Sequence, residues 1–375
     1  MEFNALRYQD PATLTFLGSP SLVRLPDGQL LASHDYFGPG CPLNHEHEEH
    51  LTSVYRSADN GRTWQSLTHV ANAFWSSLFV HRGAVYLLGT SQQYGSIVIR
   101  RSTDSGCTWT RPRDETSGLL FPGGFYHDPP NYHCAPVPVV VANDRVFRAF
   151  EDCSPCSWGR GFKSCVISAA EDADLLQAEN WRMTNKLATD PDWAPASWET
   201  PVNLGWLEGN VVVTPAGELW NILRVHSDPN VNKAAIVRIS PDGRTATFDP
   251  KHDFIDFPGG TTKFTIRRDP VSGRYLSLVN TNVVPTWPNQ RNRLDLAVSW
   301  DLRNWEVVHP LLEDDLETSL DDSLRRTGFQ YVDWQFDGED DLMYLVRTAY
   351  DGARNFHDSN RITFHRLEGF RRYLP

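Results

Sequence analysis

Ser57-Ala58-Asp59-Asn60-Gly61-Arg62-Thr63-Trp64 recurs as Ser102-Thr103-Asp104-Ser105-Gly106-Cys107-Thr108-Trp109. The shared pattern is S-x-D-x-G-x-T-W. Its chemistry is that of a tight turn between two strands. The Asp carboxylate accepts from turn N–H groups, Gly takes up a positive φ, and Trp packs beneath. Weaker copies stand at Ser240-Pro241-Asp242-Gly243-Arg244-Thr245 and at Ser299-Trp300-Asp301-Leu302-Arg303-Asn304-Trp305. Each copy follows a β-rich run, at 52–56, 97–101, 234–239 and 294–298. Strand–turn–strand hairpins read at 22–31, 79–88, 137–150, 211–223, 264–278 and 332–346. Six units of about four strands follow, over approximately 11–70, 71–125, 126–190, 200–250, 251–312 and 326–375. Small sheets repeated in this way predict an all-β fold, a six-bladed β-propeller occupying 1–375 as a single domain. Residues 4–8 are expected to pair with the last blade and close the ring. The only helical expectation is a short turn within 170–180.

Composition narrows the function classes. The chain has 375 residues, with Lys+Arg 35 against Asp+Glu 47 and a net charge of −12. The hydrophobic fraction of 40% is enough for a buried core. The acidic balance argues against a nucleic-acid partner, which needs a basic face. It leaves room for a small anionic substrate, because arginines can cluster locally. No run approaches the roughly 18 apolar residues of a membrane span. The first residues show neither a basic nor an apolar signal region, so a cytoplasmic chain is expected. Six cysteines over this length predict no disulfide framework. Cys153-Ser154-Pro155-Cys156 is a lone CxxC and reads as ordinary reduced thiols. The stretch from His45 to His50 reads as a solvated acidic run. No metal and no cofactor is expected.

Strand alternation along a blade also says where a site lies. The S-x-D-x-G-x-T-W turns and the first hairpin turns share one end of the propeller. The other end collects the starts of first strands and the ends of second strands. First-strand starts are Ser19, His133, Glu208, Lys263 and Tyr331. Second-strand ends are His34 and Asp35, Gln93 and Tyr94, Glu151 and Asp152, Arg224 and His226, Asn280 and Asn282, then Arg347 and Tyr350. A mouth lined by so many ionisable groups is a candidate binding site.

The repeated turn resembles the Asp-box, or BNR repeat, of the sialidase-like (neuraminidase) propellers, and the resemblance runs blade by blade along nearly the whole chain. Within it, Leu207-Glu208-Gly209-Asn210, followed by Arg224, looks like the segment that carries a catalytic Glu and a carboxylate-binding Arg. Gln330-Tyr331-Val332-Asp333 looks like the segment of the nucleophilic Tyr. Arg293-Leu294-Asp295-Leu296 looks like that of a second carboxylate-binding Arg, with Arg291 as an alternative. Glu46 is the best-spaced acid/base candidate, beside Asp35. The resemblance thus implies Tyr331 as nucleophile, Glu208 as its base, Glu46 or Asp35 as acid/base, and Arg224 with Arg293 as anchors. Gln93 and Tyr94 join the substrate-binding set. The types suit the chemistry. A carboxylate can activate a phenol, a second carboxyl group can protonate a leaving oxygen, and guanidinium groups hold a carboxylate in pairs of hydrogen bonds.

One departure is informative. Where the family opens its first blade with Arg-Ile-Pro, this chain has Gly18-Ser19-Pro20. Either Arg347 substitutes for the missing Arg, or the substrate is not a sialic acid. The additional His34, His133 and Lys263 favour the second. The leading expectation is an exo-glycosidase that removes a terminal, acidic sugar from a glycan. The alternative is a polysaccharide lyase on a uronate-containing glycan, with Arg224 or Lys263 neutralising the carboxylate and His133, His34 or Tyr331 moving protons. A second alternative is a non-catalytic glycan-binding propeller, with Trp206, Trp287 and Trp334 as stacking rings. In each case the partner is an oligosaccharide or polysaccharide.

Overall fold

The computed structural model describes residues 1–375, and in it six four-stranded blades stand in a ring. Blade 1 runs from a divided inner strand, Phe16–Leu17 and Ser21–Arg24, through Leu30–Phe37 and Leu51–Ser57 to Gln65–Ala71. Blade 2 is Phe74–His81, Ala84–Thr90, Ile97–Ser102 and Leu119–Phe121. Blade 3 again divides its inner strand, Tyr132–His133 and Val140–Ala142, before Arg145–Cys153, Phe162–Ala170 and Trp181–Met183. Blade 4 holds Gly205–Val213, Leu219–His226 and Lys233–Ile239, with Ala246–Thr247 and Phe254–Asp256 at its edge. Blade 5 holds Thr265–Arg268, Tyr275–Val279, Arg293–Ser299 and Trp305–Glu313. Blade 6 takes Gly328–Asp337, Asp341–Ala349 and Arg361–Leu367, and its outer strand is Asn4–Tyr8. That first strand runs antiparallel to the last, with Asn4 opposite Phe364 and Tyr8 opposite Arg361. The ring therefore closes as the sequence predicts. The helical turn expected within 170–180 is the 3₁₀ turn Ala178–Asn180. One short helix, Leu320–Arg326, precedes blade 6.

The turns are built by the side chains the repeat supplies. Asp59 accepts from the Thr63 N–H at 2.9 Å and from its hydroxyl at 2.6 Å, while the Gly61 N–H donates to Ser57 Oγ at 2.8 Å. The second copy repeats these bonds through Asp104, Thr108 and Ser102. Gly61 has φ +84°, and a Cβ there would lie 2.2 Å from the Phe364 ring of the neighbouring blade. Glycine is thus required both by the turn and by the blade packed on it.

Apolar clusters fill the spaces between successive blades. Leu88, Ile97 and Ile99 meet Phe150 and Ile167 between blades 2 and 3. Phe147 and Val166 meet Trp206 and Leu223 between blades 3 and 4. Leu278 and Leu296 meet Trp334 and Leu342 between blades 5 and 6. Trp206 and Trp334 are completely buried there, so they are core residues and not stacking rings at the mouth. Trp287 packs under the Arg325 guanidinium, 5.1 Å from its ring centroid.

A second belt, made of polar groups, links each blade to the next. Asp333 of blade 6 accepts from the Leu22 N–H (2.8 Å) and the Ser21 hydroxyl (3.1 Å) of blade 1. Ser21 Oγ accepts from Leu78 N in blade 2, and Ser77 Oγ donates to Val137 O in blade 3. Glu151 of blade 3 accepts from Gly209 N of blade 4. Asn210 donates to Phe264 O and accepts from Ile266 N in blade 5. Thr265 and Lys263 both donate to Val332 O, returning to blade 6. All these groups are buried, so each bond replaces water that has been lost.

Candidate active site

Inner strands lose their regular pairing at the mouth. Register shifts fall between Phe74 and Ser77, between Leu207 and Asn210, and between Gln330 and Asp333. At these bulges Trp75, Glu208 and Tyr331 have φ of +47°, +57° and +53°, in the region that L residues avoid. Ser19, where the blade 1 inner strand divides, has φ +23°. A bulge adds a residue and re-aims its side chain. Here it brings Glu208 from blade 4 and Tyr331 from blade 6 into one buried contact. The Tyr331 hydroxyl donates to Glu208 Oε1 at 2.6 Å, and Arg224 Nη1 donates to Glu208 Oε2 at 2.7 Å. Burial opposes ionisation of Glu208, but the Arg224 charge, His133 and the Tyr331 hydrogen bond together hold its carboxyl below the ordinary value. Burial raises the Tyr331 phenol, the Glu208 charge adds to this, and three nearby arginines oppose it.

Those arginines are Arg224, Arg291 and Arg347. Arg347 Cζ lies 4.9 Å from the Tyr331 ring centroid and Arg291 Cζ lies 5.9 Å from it. Arg347 donates to His357 O (2.6 Å) and Ser359 Oγ (3.2 Å). Arg291 donates to the side-chain oxygen of Gln330. Both are buried and neither bonds to a carboxylate of the chain. The Nε atoms of Arg224 and Arg291 have no partner. Burial lowers the guanidinium groups of Arg291, to about 10, and of Arg347. Arg293, by contrast, points into its own blade. It pairs with Asp295 at 2.7 Å and Glu313 at 3.3 Å, and of the two arginines considered at this position Arg291 is the one beside Tyr331. Arg291 lies just before the strand Arg293–Ser299, where strand alternation does not set its direction.

Around Tyr331 and Arg347 the mouth narrows to a cavity of about 120 Å³, lined also by Ser19, Asp35, Glu49, Gln93, Tyr94, His133, Trp158 and His357. Asp35 has both oxygens engaged, by the Thr52 hydroxyl (2.6 Å) and the Trp75 N–H (2.8 Å), and burial raises it to about 7. Glu49 accepts one bond, from Gly38 N at 2.6 Å, and leaves its second oxygen without a protein partner. Burial and the neighbouring Glu48 raise its carboxyl, against the pull of the Gly38 N–H and Arg347. Glu46 faces elsewhere: it accepts from the Tyr126 N–H at 2.7 Å and lines a different cleft. Of the acidic stretch, it is thus Glu49 and not the expected Glu46 that lines the cavity beside Tyr331. Spacing within an irregular loop, where His47 has φ +63°, does not fix which side a residue faces.

His133 is held by Glu151, whose Oε2 accepts from Nδ1 at 2.9 Å while Oε1 accepts the Gly209 N–H at 3.2 Å. One buried carboxylate thus orients a ring at the cavity and fixes the bulge that carries Glu208. His34 does not reach the mouth. It is wholly buried, its Nδ1–H donates to the Asp35 carbonyl, its Nε2 accepts from Tyr55, and burial lowers it to about 4. Lys263 also misses the cavity. Its amine donates to Thr265 and Val332 in the inter-blade belt, and burial lowers it to about 7. The elimination chemistry expected of His34 and Lys263 therefore has neither group at the mouth. Trp158, Glu49 and His357 line the cavity without having been singled out by sequence. Trp158 is half-exposed, 5.6 Å from Arg224, and none of Trp206, Trp287 and Trp334 lines the cavity.

No family model matches this sequence, and no curated protein is similar to it. Solved structures are similar along almost the full chain. The α-L-arabinanase of Penicillium chrysogenum, complexed with arabinobiose, is 16% identical with TM-score 0.59, over 97% of this chain and 95% of that one. An α-L-arabinofuranosidase of Fusarium graminearum is 14% identical with TM-score 0.59, over 99% and 96%. The Trypanosoma rangeli sialidase is 16% identical with TM-score 0.57, over 93% of this chain and 54% of that one. The fold is that of the sialidase-like propellers. In this propeller no group of three or more His, Cys, Asp or Glu side chains is placed to hold a metal ion, and all six cysteines are free. No helix is long and apolar enough to cross a membrane. What the propeller mouth can do chemically is pass the Tyr331 proton to Glu208 while a carbon centre approaches the phenol oxygen.

Proposed function

We propose that this propeller is an exo-acting glycosidase that removes a terminal, carboxylate-bearing sugar with Tyr331 as nucleophile. The observation that carries this is the 2.6 Å Tyr331–Glu208 contact set among arginines that have no carboxylate partner apart from Glu208 itself. Buried guanidinium groups with unmet donors are costly unless an anion completes them. A substrate carboxylate does so and fixes the sugar against Tyr331. The small cavity supports action at a chain end, since ligand sites usually span about 300–1,000 Å³. The similar structures named arabinanase, arabinofuranosidase and sialidase support a sugar as substrate.

In this mechanism Glu208 accepts the phenol proton as Tyr331 oxygen bonds to the anomeric carbon. Glu49, whose proton burial favours, gives that proton to the leaving oxygen, and the glycosidic bond breaks. Glu49 then takes a proton from water. The water oxygen bonds to the anomeric carbon, the Tyr331–carbon bond breaks, and Glu208 returns the proton. Two displacements give retention. The test is a panel of sialosides, uronate-terminated oligosaccharides and neutral arabino-oligosaccharides, read by chromatography and by NMR of the first-formed anomer. Release of a single acidic sugar with retained configuration is expected, and Tyr331→Phe should lower kcat about 10²–10⁴-fold. Full activity in Tyr331→Phe, inversion, or a conjugated double bond as the sole product would sink the reading.

A further inference from the structure

Away from the mouth, a cleft of about 610 Å³ runs between the outer strand of blade 1 and the turn region of blade 2. Its ionisable lining is His69, Arg100, Arg111, Arg113 and the Cys107 thiol, and no carboxylate lies on its walls. That is unusual in a chain of net charge −12. Arg100 is buried, with 6% exposure. Its guanidinium donates only to carbonyl oxygens, of Thr110 (3.0 Å), Ala71 (2.8 Å) and Asn72 (3.1 Å), and its Nε has no partner. Its charge therefore stands without a counter-ion, next to the like charge of Arg111, and burial and Arg111 together lower it to about 10. The Trp109 indole supplies an aromatic wall. A smaller chamber of about 240 Å³ shares Asn72, Arg100 and Pro112 with the cleft and extends to Gln92, whose neighbour Gln93 lines the mouth.

We propose that the cleft between blades 1 and 2 is a second, non-catalytic site for an anionic saccharide, its carboxylate or sulfate group facing Arg100, Arg111 and Arg113 and its ring lying against Trp109. Three guanidinium groups attract an anion and give planar pairs of hydrogen bonds to its oxygens. An indole face suits the apolar side of a sugar ring. The site does not depend on what the mouth catalyses.

Cys107, exposed on the cleft wall, reports occupancy without any turnover. The whole chain is alkylated with iodoacetamide and each cysteine peptide is followed by mass spectrometry. The probes are a sulfated disaccharide, a uronate-terminated disaccharide, inorganic sulfate and a neutral disaccharide. Exposed Cys156, on the loop that carries Trp158, reads the mouth separately in the same samples. The anionic disaccharides are expected to slow Cys107 alkylation by about 1 + [L]/Kd, about tenfold at ten times Kd. Added salt should weaken the effect. Arg111→Ser combined with Arg113→Ser, both exposed positions, should abolish it. No slowing by any anion, equal slowing by the neutral disaccharide, or unchanged slowing in the double variant would overturn the site. Slowing by inorganic sulfate as strong as by the disaccharides would overturn its assignment to a saccharide.

Discussion

Glu208 accepts two short hydrogen bonds, one on each oxygen. Arg224 keeps it ionised, and Tyr331 waits on its other oxygen. Glu208→Gln should therefore lower kcat about as much as Tyr331→Phe, and should also lower the thermal midpoint, because it strands the buried Arg224 charge. Tyr331→Phe strands no charge and should leave the midpoint nearly unchanged; the comparison separates chemistry from folding. Arg347→Ala should raise KM for acidic substrates by more than about tenfold while leaving neutral ones unaffected, if steady-state kinetics bear out the carboxylate site. Two other buried groups predict how stability depends on pH. Asp35 rises from 3.8 to about 7 on folding. Between these values the folded chain binds the extra proton, so its contribution to stability is full below about pH 4 and is lost as pH climbs to 7. Lys263 falls from 10.5 to about 7. There the unfolded chain binds the extra proton, so stability rises between pH 7 and 10.5. Melting curves across this range should show Asp35→Asn flattening the first limb and Lys263→Met the second.

Bulges set the site at the scale of the strand. Gly209 follows Glu208, and a Cβ there would lie 2.2 Å from Asn221 Oδ1. Gly209→Ala should therefore shift the bulge, and should cost activity out of proportion to any loss of folded protein, since that bulge carries Glu208. An activity loss no larger than the fractional loss of folded protein would refute this. Glu151→Gln should act likewise through Gly209 and His133, with Glu151→Asp recovering part of kcat. The hairpins and turns were legible in the sequence because their chemistry is local, a few residues long. So was the mouth, in outline: alternation alone placed Glu208, Tyr331, Arg224, Arg347, Asp35, Gln93, Tyr94 and His133 around it. Alternation could not place both His34 and Asp35 on one face, and only Asp35 lines the cavity. It also could not foresee the bulges, because a bulge belongs to the pairing of Leu207 with Arg224 and not to either segment alone. Glu46 failed where spacing in a loop stood in for distance.

At the scale of the molecule, six sheets each depend on two neighbours, and the polar belt makes that dependence directional. Asp333 joins blade 6 to blade 1 and also takes Arg267 of blade 5 at 3.2 Å. Asp333→Asn leaves Arg267 unpaired and should cost roughly 3–5 kcal/mol of stability, measured by denaturant unfolding. A shift within about 0.5 kcal/mol would show that the belt is dispensable. The first strand, Asn4–Tyr8, finds its partner only in Arg361–Leu367. On the ribosome, then, Asn4–Tyr8 is satisfied only after Arg361–Leu367 has been made. Five blades can gather while the sixth is represented only by that outer strand. Tyr331 belongs to that later blade and Glu208 to an earlier one, so the pair meets only once blade 6 has been made. A chain cut between blades 4 and 6 would carry the carboxylate but never the phenol beside it.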